Sequence, residues 1–253
     1  MERGTYVAAS GGLLQLRRLE VVANNLANVN TAGFKKQIIV GKQQTFDETL
    51  AATTATHDPF ARPDHDRNPG AVHVHTATDF SLGPIKNTTN PLDVALRDPN
   101  AFFAINTPTG TEYTRAGNFT LDSEGTLVTV DGMEVAGDGG GIVANGPNAR
   151  ITEDGTVYAG KNIVGRLQSV KVENLTNLER AGETRFKLKA GAPAPTPIET
   201  EVVPQALEMA NVSVVNSMID LISTNRAFEL YSKSAQTIDT MDQTAINQVG
   251  KPR

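Results

Sequence analysis

The spacing of apolar residues at the start of the chain predicts a helix. Five of them recur at intervals of three or four positions, as on one helix face: Leu16, Leu19, Val22, Leu26 and Val29. The stretch ends in TAGFKK, and a glycine here is typical of a left-handed residue just past a helix. We therefore predict that Gly33 caps the helix and that Phe34 packs back on Val29. Lys35 and Lys36 would then lie near the negative end of the helix dipole.

Asparagine is unusually frequent in this helix, which contains or borders Asn24, Asn25, Asn28 and Asn30. Asparagine is a mediocre helix former, because its amide competes for backbone hydrogen bonds. A helix packed in an array can use such amides to bond to its neighbours, whereas an isolated surface helix gains nothing from them. We therefore predict that these asparagines, the five apolar residues, Gly33 and Phe34 form an assembly interface. The alternative is an ordinary amphipathic core helix.

The end of the chain carries a second, longer helical pattern. From Asn211 the apolar positions keep a near-heptad spacing, with no Gly or Pro before Gly250, and Asp242 is a polar exception. The predicted assembly seam consists of Val214, Met218, Leu221, Asn225, Phe228, Tyr231, Ala235 and Ile238. A helix of roughly 35 residues is on the order of 50 Å long. Its length and seam favour a coiled coil or another helical pairing over a lone helix on a globular core.

Between the helices, short apolar runs alternate with turn residues, which is typical of antiparallel β-structure. Examples are the runs at 102–105 and 119–121 and the turns at 107–110, 122–125 and 130–132. The alternating prolines after Gly191 favour an extended strap. Residues 37–79 are polar and rich in structure breakers, and they are predicted to form an extended surface loop.

The simplest domain arrangement is an α+β fold with paired terminal helices. Residues 1–36 and 205–253 would form a discontinuous, coiled-coil-like inner domain, and residues 80–190 a β-rich outer domain. Residues 37–79 would connect them on one side and the Pro-rich strap, 191–204, on the other. A helical pair is too slender to bury its apolar faces alone, so stacking of copies around an axis would bury them and extend into a filament.

The composition of the chain excludes several classes of function. The chain has 253 residues, a formal net charge of -5 and no cysteine, so nothing indicates a nucleic-acid partner, and disulfides, thiolate metal sites and cysteine nucleophiles are excluded. The first residues lack a charged region followed by a long apolar one, so no cleaved signal peptide is predicted. No apolar run approaches the roughly 20 residues that span a bilayer. We predict neither a cofactor nor membrane insertion.

Four motifs suggest ligand binding, and each lacks a feature that the binding needs. His73 and His75, and the run Asp64-His65-Asp66, lack a defined third metal ligand. The glycines at 137–141 precede no helix that could receive a phosphate. Residues 155–161 match the P-loop spacing, but Asn162 replaces the Ser or Thr that binds magnesium and the next residues resemble a strand. We therefore predict a hairpin there and no metal or nucleotide site.

The run NNLANVNTAGFK at 24–35 resembles the N-terminal signature of the bacterial flagellar axial proteins, the family of rod, hook and hook-associated subunits. In this family that run pairs with a C-terminal helix in the inner layer of a hollow filament. The sequence at 209–233 is similar to the family's C-terminal motif. Residues 90–96, 102–105 and 113–132 are similar to its central domain. One departure is the sequence DPNA at 98–101 in place of the usual GDG, which predicts a reshaped turn.

The resemblance implies a structural, non-enzymatic subunit of the flagellar basal-body rod, the shaft that carries motor torque across the periplasm to the hook. The start of the chain and its compact β-region are most similar to the proximal-rod F type. Expected partners are copies of the chain, homologous rod subunits, hook-side and motor-side axial proteins, and the type III export apparatus that exports axial proteins uncleaved.

Two alternatives remain at this point. One is a distal-rod or hook-type subunit of the same family. The other is a peptidoglycan-acting enzyme, which needs a carboxylate pair across a cleft. The carboxylates available for it occur in turn-like sequences: Asp122, Glu124, Asp131 and Glu134.

Overall fold

The computed structural model describes residues 2–43, 72–145 and 148–249, and in it the chain combines two long helices with many short strands. Helix α1 is Glu2–Ala27 and helix α2 is Val214–Val249. The α+β class predicted from the sequence is confirmed. None of the helices in the described ranges is long and apolar enough to cross a membrane.

The chain forms two compact units, each built from separate stretches of sequence. The first consists of residues 1–26, 37–78 and 214–253, and the second of residues 27–36 and 79–213. Residues 27–36 and 205–213, which the sequence analysis groups with the helices, thus belong to the β-rich unit.

The first unit contains α1, α2 and a two-stranded antiparallel sheet of β1 (Gln37–Gln43) and β2 (Val72–Thr78). The predicted surface loop at 37–79 is therefore wrong at both ends, because β-branched residues such as Ile38 and Val40 favour a paired strand. Residues 44–71, with Asp64-His65-Asp66, lie outside the described residues. The two helices meet at Gly11, where an added β-carbon would lie 2.4 Å from Cε1 of Tyr231.

The second unit contains a short 3-10 helix, Leu175–Asn177, and strands β3 to β19. The strands are β3 (Ile85–Asn87), β4 (Val94–Leu96), β5 (Ala101–Thr107), β6 (Gly110–Thr114), β7 (Thr120–Leu121), β8 (Leu127–Val128), β9 (Glu134–Gly137), β10 (Gly140–Gly141), β11 (Ala149–Ile151), β12 (Thr156–Ala159), β13 (Asn162–Arg166), β14 (Ser169–Lys171), β15 (Leu178–Arg180), β16 (Arg185–Leu188), β17 (Thr196–Ile198), β18 (Val202–Pro204) and β19 (Ala206–Glu208).

The main sheet of this unit has ten strands, with the order β15-β16-β6-β5-β9-β8-β7. Strand β10 pairs with β9, and β14 pairs with both β5 and β17. Three smaller sheets are β11-β12-β13, β18 with β4, and β19 with β3. The predicted Pro-rich strap at 191–204 is therefore only partly correct, since β17 and β18 hydrogen-bond to neighbouring strands.

Strand β5 forms the centre of the core, and its residues Ala101 to Ile105 are all buried. Successive side chains of a strand point to opposite faces, and both faces of β5 are covered. Phe103 packs edge-to-face on Phe119, with ring centroids 5.2 Å apart, and Phe102 packs on Phe186 at 6.1 Å. Burial of each such side chain contributes about 1.5–3 kcal/mol.

The turns agree well with the sequence analysis. The β5–β6 hairpin closes at Thr107 and Gly110, and the glycine run at 137–141 forms the β9–β10 turn. The P-loop-like run forms the hairpin of β12 and β13. The turn at 98–101 is held by the Asp98 carboxylate, which accepts a 2.8 Å hydrogen bond from the amide of Asn100, and its predicted difference from the family's usual turn stays a prediction.

Candidate functional site

The segment after α1 is bound to the segment before α2 at Gly33. Its φ of +70° is left-handed, as predicted. The predicted helix-capping role is wrong, however, because α1 ends at Ala27 and the Gly33 amide donates to the carbonyl oxygen of Glu208 at 2.7 Å. An added β-carbon would lie 2.2 Å from the backbone nitrogen of Ala116. Glycine is thus required both by the backbone conformation and by the approach of a second backbone.

Next to Gly33, three charged side chains form a buried ion cluster. Lys35 Nζ lies 2.6 Å from Oε1 of Glu208, and Arg115 Nη2 lies 2.7 Å from Oε2. Each side chain is at most 1 % exposed. The Gly83 amide also donates to Oε1 of Glu208, at 3.0 Å. Because the carboxylate is bonded on both oxygens, removing one partner would leave a buried charge uncompensated.

Arg115 extends the cluster to the central strand. Its Nη1 donates to the carbonyl oxygens of Asp98 at 2.7 Å and Ala101 at 2.5 Å, at the start of β5. Its Nε donates to Oε2 of Glu208 at 2.9 Å. Lys35 similarly donates to the carbonyl oxygen of Ser81 at 2.7 Å. The cluster therefore joins five separate stretches of the second unit.

Burial and the neighbouring positive charges shift the pKa of Glu208 in opposite directions. Burial alone would raise the pKa of Glu208, but the charges of Arg115 and Lys35 and the hydrogen bonds from Lys35 and Gly83 hold it below its usual value. Burial lowers the pKa of Lys35, and the attraction of Glu208 offsets this only in part. Glu208 is therefore ionised at neutral pH, and among the described residues it is the only carboxylate bonded directly to Lys35 and Arg115.

Phe34 lies beside the ion cluster and is held by a stacked arginine. The ring is 1 % exposed, and the Arg180 guanidinium lies 4.9 Å from its centroid and 5.3 Å from that of Phe186. Arg180 also donates to the carbonyl oxygen of Lys35. Such stacking of a desolvated cation on aromatic rings contributes up to roughly 2 kcal/mol.

Asn211 completes this set of contacts just before α2. Its Oδ1 accepts from the Lys36 amide at 2.7 Å, and its Nδ2 donates to the carbonyl oxygens of Asp79 at 2.8 Å and Ser81 at 3.1 Å. We call the whole set the clasp, and it consists of Gly33, Phe34, Lys35, Arg115, Arg180, Glu208 and Asn211. It binds the segment that follows α1 to the segment that precedes α2.

The clasp contains residues that the sequence analysis interpreted differently or did not single out. Lys35 was predicted to act on a helix dipole, and it lies instead in the ion cluster. Arg115 and Glu208 were not identified, although the runs around them were among the resemblance motifs or next to them. No short-range pattern pairs residues so distant along the chain.

The predicted interface residues fall into three groups by exposure. Asn25, Asn28, Gly33 and Phe34 are buried, and Leu19, Val22, Leu26, Val29, Leu221, Phe228, Ala235 and Ile238 are half-buried. Leu16, Asn24, Asn30, Val214, Met218, Asn225 and Tyr231 are exposed. The exposed and half-buried residues are accessible to another subunit, whereas the buried ones make contacts within the chain.

Asn25 illustrates such an internal contact. Its Nδ2 donates to the carbonyl oxygen of Gln37, and its Oδ1 accepts from the Gln37 amide, both at 2.8 Å. One side chain thereby satisfies both backbone groups of the first residue of β1. This reciprocal pair fixes the strand to α1 inside the first unit.

The residues suggested for other chemistry have structural contacts. No group of three or more His, Asp or Glu side chains suited to a metal occurs among the described residues, and His75 is exposed on β2. The carboxylate of Asp122 accepts from the amides of Glu124 at 2.9 Å and Thr126 at 2.8 Å, which stabilises a turn. Asp131 lies 3.7 Å from Nε of Arg185.

These features define an α+β protein whose distinctive site is the buried clasp. The clasp binds the segment that follows α1 to the segment that precedes α2. Three family descriptions match successive parts of the chain. "Flagella basal body rod protein" matches residues 6–35, "Flagellar hook protein FlgE/F/G D1 domain" residues 98–159, and "Flagellar basal body rod FlgEFG protein C-terminal" residues 203–248.

Full-length relatives agree with these matches. The chain is 30 % identical to the flagellar basal-body rod protein FlgF of Caulobacter vibrioides, over 99 % of each chain. It is 32 % identical to the flagellar basal-body rod protein FlgG of Bacillus subtilis, over 98 % of this chain and 99 % of the relative. The chain therefore belongs to the flagellar basal-body rod protein family and is a structural subunit of the rod.

Proposed function

We propose that this subunit polymerises through its terminal helices into the hollow rod and transmits motor torque across the periplasm to the hook. Its neighbours are copies of itself and homologous axial proteins on the hook and motor sides. It reaches the rod through the flagellar export apparatus without a cleaved signal peptide. The proximal-rod F type is the finer assignment, and it rests on the start of the chain and on its compact β-region, because the FlgF and FlgG relatives are similarly identical to the chain, at 30 % and 32 %.

The observation that carries this proposal is the exposure of large apolar side chains along both helices. Leu13 of α1 is 64 % exposed, and Val215 and Leu230 of α2 are both 67 % exposed. A contiguous exposed apolar surface is typical of a protein–protein interface. Rows of such residues on long helices favour helical packing between subunits, with a coiled-coil-like seam at the half-buried positions.

The clasp supports a mechanical role for the β-rich unit. Force on a helix reaches the segment next to it, and the clasp binds both segments to one another and to β5. The buried carboxylate of Glu208 is bonded to Lys35 and to Arg115. Pulling the two segments apart would therefore be costly, because each cation would lose its counter-charge. We infer that the clasp passes load between the helices and the β-rich unit.

Substitution in the predicted seam tests the polymerisation. In a strain lacking the gene, Leu221→Asp should be exported with its β-rich unit folded but should be missing from purified basal bodies, because a carboxylate without a partner is costly to bury. Gln236→Asp, at an exposed position of the same helix, is the matched control and should restore swimming. Normal incorporation of the Leu221→Asp chain would refute assembly through this seam.

A further inference from the structure

Helix α2 has two apolar faces on opposite sides. One is the half-buried seam that includes Leu221, Phe228 and Ala235. The other, which we call the outer row of α2, consists of Val215, Ile219, Ile222, Arg226 and Leu230. At about 100° per residue, the centres of the two faces lie nearly opposite. Ile219 and Ile222 are 59 % and 52 % exposed, so contacts among the described residues leave this second face uncovered.

Helix α1 also carries an outward row beside its internal contacts. Ala8 and Gly12 are buried on one side. The outer row of α1, on another side, consists of Leu13, Leu16, Glu20 and Ala23, all exposed. The side chains of this row are on average smaller than those of α2's outer row, because this row contains an alanine whereas the row of α2 contains three β-branched residues. A row with small residues can receive a row of large ones at close helix–helix distance.

The two rows match in spacing and in charge. Leu13, Leu16 and Glu20 are separated by three and four positions, as are Ile219, Ile222 and Arg226. Each row thus places one charge after two apolar side chains, and the charges are opposite. Arg226 has no ion-pair partner among the described residues. Glu20 pairs at 2.8 Å with Arg17 on its own helix, but both side chains are more than half exposed, and exposed pairs of this kind are exchanged at little cost.

We propose that the outer row of α2 docks on the outer row of α1 of a second copy of this chain, with Arg226 paired to Glu20. The proposal rests on the rod function above and names the second contact of that assembly. With the two charges opposite each other, Leu16 meets Ile222 if the helices run parallel and Leu230 if they run antiparallel. An apolar contact therefore flanks the ion pair in either direction. Because the two rows differ, the contact is heterologous and leaves one free row at each end of any chain of copies.

Charge reversal tests the pairing in a strain that lacks the gene and carries variants on a plasmid. Glu20→Lys and Arg226→Glu, each alone, should reduce recovery of the chain in purified basal bodies roughly ten-fold, because like charges then face each other. Both reversals together should restore recovery to within about two-fold of the unmodified chain. Asp220→Lys, an exposed position of α2 outside the row, is the matched control and should assemble normally.

Cross-linking tests the contact independently of assembly yield. The chain has no cysteine, so introduced pairs are the only thiols in the subunit. Chains with Leu16→Cys and either Ile222→Cys or Leu230→Cys should form covalent dimers and larger multimers when isolated rods are oxidised. The pair that reacts identifies the helix direction.

The outcomes separate this proposal from the proposed function. If the gene-deleted strain lacks rods but both single reversals assemble normally, or if neither cysteine pair gives multimers, the docking of the outer rows is overturned and the rod function stands. If the gene-deleted strain still builds rods and swims, the rod function itself is overturned. Rescue by the double reversal together with multimers supports the docking.

Discussion

The amide of Gly33 and the carbonyl oxygen of Glu208 are joined by a 2.7 Å hydrogen bond, although 174 residues of chain lie between the two positions. The same Glu208 carries the carboxylate that neutralises Lys35 and Arg115. One residue thus binds the N-terminal segment by its backbone and the central sheet by its side chain. The β-rich unit is therefore held together by the segment that follows α1 and the segment that precedes α2.

Substitution of Gly33 tests the close backbone approach. Gly33→Ala should destabilise the second unit by about 2–4 kcal/mol, because the methyl group overpacks against Ala116 and a left-handed backbone is strained. Gly132→Ala is the matched control, since Gly132 has a similar φ of +77° but no atom of the described residues within 4 Å of an added β-carbon. It should cost only about 1 kcal/mol. Urea unfolding of both variants measures the difference, and equal losses would contradict the packing argument.

Removal of the negative charge of Glu208 should lower the stability of the β-rich unit strongly, although the substitution changes few atoms. Glu208→Gln keeps the shape of the side chain but leaves two buried cations without a counter-charge, at a cost of about 3–5 kcal/mol. Adding Lys35→Met should recover part of the loss, because one buried charge is then removed. Glu201→Gln, at an exposed position close by, should change stability by less than about 0.5 kcal/mol. A Glu208→Gln chain as stable as this control would contradict the ion cluster.

The pH dependence of stability follows from the lowered pKa of Glu208. The unfolded chain binds a proton on this group at a higher pH than the folded chain, so stability rises with pH in the acid range. Its contribution is complete above the unfolded pKa of about 4.3 and is lost as the pH falls through the folded pKa. Asp154, with a pKa of about 2 due to hydrogen bonds from the hydroxyls of Thr152 and Thr156, acts in the same direction. Urea midpoints between about pH 3 and 6 should rise with pH, and less steeply in Glu208→Gln; equal slopes would contradict this assignment.

Periodicity was sufficient to predict α2 and the hairpins, because these depend on neighbours along the chain. It predicted α1 only in part, since this helix begins at Glu2 and ends at Ala27, before the predicted cap at Gly33. It failed where distant residues compete with local preference. Gly33 has the backbone conformation that the pattern indicated, yet its amide bonds to Glu208 because that strand lies beside it. Ile38 and Val40 lie in a paired strand, although the structure-breaking residues of this region predicted a loop. Nothing in the local pattern of Arg115 distinguishes a buried ion from a solvated one.

The asparagines divide into structural and surface positions, which separate substitutions can test. Asn25→Ala should weaken the attachment of β1 to α1 by about 1–3 kcal/mol in assembled rods, since both backbone groups of Gln37 lose their partner. Asn28→Ala should destabilise the second unit by about 1 kcal/mol, because its Oδ1 accepts from the Thr31 hydroxyl at 3.2 Å in a buried position. Asn24 is exposed, and Asn24→Ala should weaken assembly if its amide bonds to a neighbouring subunit. Full motility of Asn24→Ala would show that this asparagine is incidental to the rod.

Hydrogen exchange on the monomer should reveal a sharp contrast between the helices and the clasp. The helices expose large apolar side chains, and isolated helices are marginally stable in water without packing partners. Their amides should therefore exchange rapidly in the free chain and become protected in assembled rods. The amides of Gly33, Lys36 and Gly83 donate to Glu208 or Asn211 within the clasp, and they should be protected in both states. Strong protection across Ala8–Leu26 and Val214–Ile238 in the monomer would contradict this prediction, because the helices would then be stable without neighbouring subunits.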